Sequence, residues 1–436
     1  MYKAVVLQIL MEKTILICNA ILWIVTFIYW LKKKGIHNVG LFIILLYTLI
    51  SCASYHLYIS PETNSFYEPT IYIMPFMYLY VIIQALISPL LKIEYGEIHE
   101  IRLPSIKIIK PICYYIIISS LYQLLMGWED VKHGFFLIML DNSNAIDLYI
   151  DSTDANMTQK AFSGTFNFMG VIASTGVNFS MLFFFLYLLY PNKNKKILIG
   201  MIVAILITPL MSVASGSREK VITSFLMFVL MYLFLKPLLN KQLRKNIENA
   251  AMLLFAFLFI FFVIISLARA RGDIEKTITG FESYFGMSFL VFDQKCFYTD
   301  GTREGNLVSP LINVVLGGQT YSQEDLRAKY AFLGVDNGVF YTFIGDFVLD
   351  YGPYIAFVFL ILFSLYCQRI NKFKIWNGGQ IVLGFILLKL LSGFYLHQFS
   401  GIGGNLFLVE LFILYYILSS NLPNFKSVIK NIDERT

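Results

Sequence analysis

Apolar residues in this chain come in long blocks. They do not alternate as in a half-buried strand, nor form the narrow stripe of a soluble amphipathic helix. Runs of roughly 18–25 residues, the length a helix needs to cross ~30 Å of hydrocarbon, recur at about 14–31, 39–59, 71–91, 108–127, 168–190, 197–214, 221–235, 250–267, 345–367, 379–397 and 401–420. The pattern predicts an all-α, polytopic membrane helix bundle of about 11 transmembrane helices (10–12). The run at 221–235 is short and the apolar pattern over 339–367 is longer than one span, so each can shift the count by one. With 57% hydrophobic and only 14% charged residues over 436 positions, and a mean hydropathy of +0.67, a soluble globule is excluded. No internal repeat or low-complexity linker interrupts the pattern, and 1–436 reads as a single integral membrane domain.

Charge orients the bundle. Lysine and arginine accumulate in cytoplasmic loops, and placing Lys32–Lys34 inside makes the N-terminus external and the C-terminus cytoplasmic. The connections 32–38, 92–110, 191–196, 236–249, 368–378 and 421–436 then hold sixteen lysines, against eight outside. Two external loops are large, at about 128–166 and 268–338. The first apolar run is followed by lysines and lacks a small-residue cleavage site, so it is expected to remain as an anchor.

Arginine breaks the rule that lysine obeys. Arg102, Arg244, Arg369 and Arg435 are inside, but Arg218, Arg269, Arg271, Arg303 and Arg327 fall outside. Guanidinium is a permanently charged planar fork that binds phosphate oxygens two at a time, whereas lysine is a mobile point charge. The external arginines therefore read as candidate ligands of a phosphate or pyrophosphate at the outer leaflet, Arg218, Arg269 and Arg271 foremost because they sit where spans emerge. The plainer alternative is loop charge paired with Glu219, Asp273 and Glu304. The formal charge of +6 belongs to lysines facing lipid headgroups and gives no support to nucleic-acid binding. Four of the five cysteines lie in spans, leaving Cys296 alone outside, so no disulfide framework or metal ligand set is expected.

Three residues qualify as a proton acceptor near the outer ends of spans. His397 closes the tenth span, and Asp346 and Asp350, four apart, share one helix face. The alternatives are an interfacial histidine beside Tyr395 and Gln398, and carboxylates at a helix entry. Asp130, Asp141, Asp147, Asp151 and Asp154 make the first external loop acidic, either to meet sugar hydroxyls or simply to be solvated. In the second, Phe281–Phe292 and Leu307–Leu316 are too short to span and should lie in the interface or fold back as a lid. Lys389 and Glu410 lie at similar depth on consecutive spans and are expected to pair.

The many-span layout, the turn Ser215-Gly216-Ser217-Arg218-Glu219, the late external loop opening with Arg269 and Arg271, and the segment Gly345-Asp346-Phe347-Val348-Leu349-Asp350-Tyr351-Gly352-Pro353 resemble the Wzy-type oligosaccharide repeat-unit polymerases of bacterial surface polysaccharides (O-antigen and capsule). Some members of that family carry an arginine, ten residues and a glycine in external loops, a spacing that Arg269 with Gly280 and Arg327 with Gly338 reproduce. The first external loop lacks any arginine and departs from that pattern. The resemblance implies a metal-independent glycosyltransferase in the bacterial cytoplasmic (inner) membrane, its active site facing outside. It would join undecaprenyl-pyrophosphate-linked oligosaccharides with lipid pyrophosphate as leaving group. It implies no cofactor, and a flippase and a chain-length regulator as partners.

Three other readings stay open. A lipid-linked oligosaccharide flippase would line a central cavity with its cations. An O-antigen-type ligase would differ only in acceptor, and a scaffold would not need arginines at span ends. The Arg-Gly-Asp tripeptide at 271–273 is read as coincidence.

Overall fold

The computed structural model describes residues 2–60, 70–140, 168–212, 219–269, 273–319, 321, 323–335, 340–372, 374–420 and 425–430. In chain order, the chain forms α1 (Tyr2–Lys34), α2 (Val39–Ile59), α3 (Ile73–Leu91), β1 (Glu100–Pro104), α4 (Ile106–Met126) and α5 (Trp128–Leu140). Then come α6 (Phe168–Asn178), α7 (Ser180–Leu188), α8 (Lys195–Met211), α9 (Glu219–Leu235), α10 (Lys241–Arg269) and α11 (Ile274–Val291). The last part holds α12 (Pro310–Val315), α13 (Gln323–Lys329), α14 (Thr342–Cys367), β2 (Ile375–Asn377), α15 (Gly378–Leu391), α16 (Gly401–Ser419) and β3 (Phe425–Lys430).

The chain is a multi-pass membrane protein. Among the described residues, seven helices are long and apolar enough to cross a bilayer: Leu10–Lys34, Val39–Ile59, Ile73–Leu91, Ile106–Met126, Glu219–Leu238, Thr342–Asn371 and Gly401–Ser419. Each overlaps an apolar run of the sequence. The remaining four runs are helical as well, for reasons that keep them out of that set. The run 168–190 is divided into α6 and α7 around Phe179, α8 is 17 residues long, and α15 is 14. The fourth, 250–267, lies inside α10, where several side chains fall outside the described ones.

The chain divides into two compact units. The first comprises Met1–Ile93, Ile278–Lys372 and Ile386–Val409. Its helices start and stop where local chemistry directs. Asn38 caps α2, its Oδ1 accepting from the N–H groups of Gly40 (2.8 Å) and Leu41 (3.3 Å), which satisfies donors that have no helical partner. Lys32–Lys34 occupy the last turn of α1, the end that favours cations. An aromatic core forms where Trp23 stacks with Tyr47 at 5.6 Å between centroids and meets the edge of Tyr80 at 5.1 Å. The segment Phe281–Phe292, expected to fold back, does so as the second half of α11. Ser54 of α2 donates to the Gly286 carbonyl (2.8 Å), and a Cβ on Gly286 would come within 2.6 Å of the Ala53 carbonyl oxygen. Leu307–Leu316 yields the short α12, with Ile312, Val315 and Leu316 exposed.

The second unit comprises Glu94–Thr277, Phe373–Phe385 and Glu410–Thr436. It contains a feature that the all-α expectation lacks, a three-stranded sheet in the order β2-β1-β3. Strand β1 runs parallel to β2 and antiparallel to β3. Strands of three to six residues hold together only by distant pairing, and no local periodicity in such short pieces announces them. Tyr95 anchors the sheet, donating to the Phe234 carbonyl (2.6 Å) and packing on Trp376.

The expected ion pair of Lys389 and Glu410 gives way to separate arrangements. The Lys389 ammonium lies over the rings of Phe407 (4.7 Å) and Phe399 (5.5 Å), where ring quadrupoles attract a cation. Glu410 is hydrogen-bonded with Thr175.

Candidate functional site: a buried arginine held by two aspartates

The site begins with a break in a helix. Gly352 in α14 has φ 76° and ψ 163°, a conformation essentially reserved for glycine, and Pro353 follows. Lacking an N–H, Pro353 cannot donate to the carbonyl four residues earlier, that of Leu349. The Arg303 N–H takes that place (2.7 Å), and the Gly305 N–H donates to the carbonyl of Asp350 (3.3 Å). The dipeptide Gly352-Pro353 thus creates a docking point for the segment 303–305. Tyr78 completes the break by donating to the Pro353 carbonyl (2.6 Å).

The break also separates two environments on one helix. From Thr342 to Asp350 every residue is buried, whereas Tyr354, Ile355, Val358, Phe359, Leu362 and Leu365 present their side chains outward. The 30 residues of Thr342–Asn371 would extend roughly 45 Å at about 1.5 Å per residue, well beyond the hydrocarbon thickness. An apolar, outward-facing half following a fully enclosed half accounts for that excess.

Asp346 and Asp350 share one helical face, as their spacing predicts, and both point at Arg303. Arg303 Nε donates to Asp350 Oδ1 (2.7 Å), and Nη2 donates to Asp346 Oδ1 (3.0 Å) and to the Asp346 carbonyl (3.1 Å). Nη1 donates to the Tyr341 hydroxyl (3.1 Å). Arg303 is 2% exposed. Burial opposes its charge, but Tyr341, Asp350 and Asp346 outweigh burial and raise its affinity for the proton above that of an ordinary guanidinium. The carboxylates are equally occupied. Asp350 Oδ2 accepts from the N–H groups of Leu307 (3.0 Å) and Val308 (2.6 Å), and Asp346 Oδ2 accepts from the His397 N–H (2.9 Å).

This geometry corrects part of the sequence reading. Arg303 was expected to bind pyrophosphate, yet its Nε, Nη1 and Nη2 all donate to groups within the protein. Asp346 and Asp350, expected to accept a proton or orient a sugar, have both oxygens occupied by donors. The three form a brace that ties the segment 303–308 to the enclosed half of α14. His397 joins through its backbone. Its ring is 2% exposed, stands edge-on to Phe347 at 5.1 Å, and its Nδ1 has no hydrogen-bond partner among the described residues. Enclosed in this way, the ring is poorly placed to take a proton from a substrate.

Arg218 and Arg271 lie outside the described residues, as do Gly338 and the acidic positions Asp141, Asp147, Asp151 and Asp154. The backbones of Arg269 and Arg327 end α10 and belong to α13 respectively. Among the described side chains of the pyrophosphate candidates, that of Arg303 is brought to the aspartates.

Three partners of the brace escaped the sequence reading. Tyr341 accepts from Arg303, and Asn306 Nδ2 donates to the Arg303 carbonyl (2.8 Å) and to the Tyr330 hydroxyl (2.6 Å). Asn405, near the start of α16, donates to the carbonyls of Val308 (2.8 Å) and Phe399 (2.9 Å) and accepts from Leu311 N–H (3.2 Å). Single asparagines and tyrosines carry no spacing signal, so only the fold reveals them. A fourth residue, Asp293, stands apart from the brace. It is 1% exposed, and its carboxylate oxygens each accept from the Tyr72 N–H at 3.3 Å.

The fold and this site define a polytopic helical membrane protein with an arginine–aspartate brace fastening a loop to a broken helix. No protein-family model, curated protein or solved structure matches the chain.

Proposed function

We propose that the protein is a glycosyltransferase that polymerises lipid-linked oligosaccharides at the outer face of the bacterial cytoplasmic membrane. The growing chain leaves its undecaprenyl pyrophosphate carrier and joins the terminal sugar of a newly exported unit. The observation that carries this reading is that arginine, unlike lysine, does not follow the positive-inside distribution, with five of its nine residues in segments read as external. As negative charge builds on the departing pyrophosphate, cations already in place stabilise it without reorganisation. Arg218, Arg269 and Arg271 are assigned to that role, with Arg327 secondary. Arg303 is reassigned to holding the loop.

The sheet supports the orientation. Its strands come from the segments 92–110, 368–378 and 421–436, each placed in the cytoplasm by charge, and hydrogen-bonded strands must share a side of the membrane. The order of the loop 297–318, fastened by the brace, supports a preorganised external surface, as a transferase positioning two large substrates requires.

The test is the length distribution of surface polysaccharide in cells lacking the protein, beside cells complemented with wild type and with Arg269→Ala. Single repeat units at the surface without a ladder are expected in the deletion strain, and shortened or absent ladders with Arg269→Ala. Carrier-linked units accumulating inside would replace this reading with a flippase, and finished polymer stranded on its carrier outside would replace it with a ligase.

A further inference from the structure

A polar cleft of ≈ 280 Å³ opens beside the brace, between α12 and α13. Its size is near the lower edge of the roughly 300–1,000 Å³ typical of small-molecule sites, room for about one or two sugar rings. Asn306 is one of its lining residues and is held in place by Arg303, Tyr330 and Asn313, whose Nδ2 donates to Asn306 Oδ1 (3.1 Å). The cleft is therefore built on the fastened part of the loop. Glu304, at its edge, adopts φ 54°, a left-handed conformation uncommon for residues other than glycine. The Glu304 carbonyl accepts from Asn313 Nδ2 (3.0 Å).

Its chemistry selects the ligand. The charged lining groups, Glu304 and Lys329, stand 4.0 Å apart, so among the described residues the cleft carries a balanced pair and no surplus cation. An anion such as pyrophosphate would meet repulsion from the carboxylate as much as attraction from the ammonium. The other polar lining groups are amides and a phenol, from Asn306, Asn313, Gln319 and Tyr321, planar groups that both donate and accept hydrogen bonds. Leu316 adds an apolar wall and is 79% exposed. Interspersed donors and acceptors with an apolar rim fit a ring bearing hydroxyls on its edge and C–H groups on its faces.

We propose that this cleft is a binding subsite for uncharged sugar residues of a glycan chain, with Glu304, Asn313 and Gln319 taking hydroxyls and Leu316 and Tyr321 meeting a ring face. The inference rests on the polymerase reading for the source of the glycan, and gives that reading a place where the sugar is held separately from the pyrophosphate.

The test uses full-length protein in lipid nanodiscs and equilibrium dialysis against neutral oligosaccharides, released from the host's own surface polysaccharide and fluorescently end-labelled. Wild type should bind saturably. Asn313→Ala and Gln319→Ala should each weaken binding at least tenfold, while binding of inorganic pyrophosphate stays unchanged. Gln319 is exposed, so its variant keeps the test valid should Asn313→Ala fail to fold. No saturable binding by wild type, or equal binding by folded variants, overturns the subsite. The two readings fail separately. If the deletion strain still makes full ladders but the variants lose sugar binding, the polymerase assignment falls and the subsite stands; ladders that require the protein alongside undiminished variant binding remove the subsite alone.

Discussion

Arg303 shows how a residue type in the expected place can do different work. A guanidinium meeting two carboxylates in a dry setting is held by four hydrogen bonds, and removing it leaves both carboxylates buried without a counter-charge. Arg303→Met should destabilise the protein by about 3–5 kcal/mol, read as a fall in apparent melting temperature in detergent. Arg303→Lys should rescue little of this, because an ammonium cannot bridge Asp346, Asp350 and Tyr341 with a planar fork. Combining Arg303→Met with Asp346→Asn and Asp350→Asn should recover part of the loss; a triple variant no better than the single one would refute the brace. Asp293 yields a second prediction. Burial pushes its carboxyl up to about 7 from an ordinary 3.8, with the Tyr72 N–H opposing and Glu12 adding to the rise. Between those two values the folded protein keeps a proton that the unfolded chain releases, so stability from this group falls as pH rises through that window and levels off above 7. Wild type should melt at a lower temperature at pH 8 than at pH 5, and Asp293→Asn should flatten that difference. An identical slope in the variant would assign the pH dependence to other groups.

At the scale of elements, the decisive feature is the break in α14. A continuous helix would return the Asp350 carbonyl to its helical partner and close the point where the segment 303–305 docks. Gly352 is the residue that permits the break, since it can adopt φ 76° and ψ 163°, while a Cβ there would meet open space, its nearest atom being Thr302 Cγ2 at 3.9 Å. The obstacle to substitution is thus backbone conformation and not crowding. Gly352→Ala should cost about 1–3 kcal/mol and should loosen the 303–308 segment as well, detected as faster amide exchange at Arg303 and Val308. Unchanged exchange with lowered stability would mean that the segment docks independently of the kink. The short sheet teaches the complementary lesson, because its strands are too brief to be specified by their own sequence and exist through pairing across distant segments.

For the whole molecule, the apolar blocks decide insertion, and under the proposed function the arginines that the charge pattern assigns to the outside are what would distinguish a transferase from a passive anchor. Within the first unit, the brace fastens the segment 303–308 next to a polar cleft. Under the proposed function, cations at span ends would meet the leaving group and amides farther along the loop the sugar, which makes polymer length the informative readout in the cell. The unit boundaries cut through α15 and α16, so sequence-local elements contribute to both units, a division that no composition shift along the chain marks.

What the sequence determined by itself was whatever depends on local composition. The apolar blocks, read as about eleven spans where seven described helices are long enough to cross, and the common face of Asp346 and Asp350 follow from residues within a few positions of one another; so do the cap of α2 by Asn38 and the break at Gly352-Pro353, which the sequence reading had not singled out. Hydrophobic block length, a cap and a helical repeat act over one to a few turns, and are legible for that reason. Tertiary structure alone decided what those residues meet. Arg303 and Asp350 are 47 positions apart, and whether a guanidinium faces phosphate or two aspartates depends on where the loop lands. Likewise Lys389 settled over aromatic rings, and His397 became a buried ring, because burial and partner choice are set by packing between distant segments, about which charge and spacing along a chain carry no information.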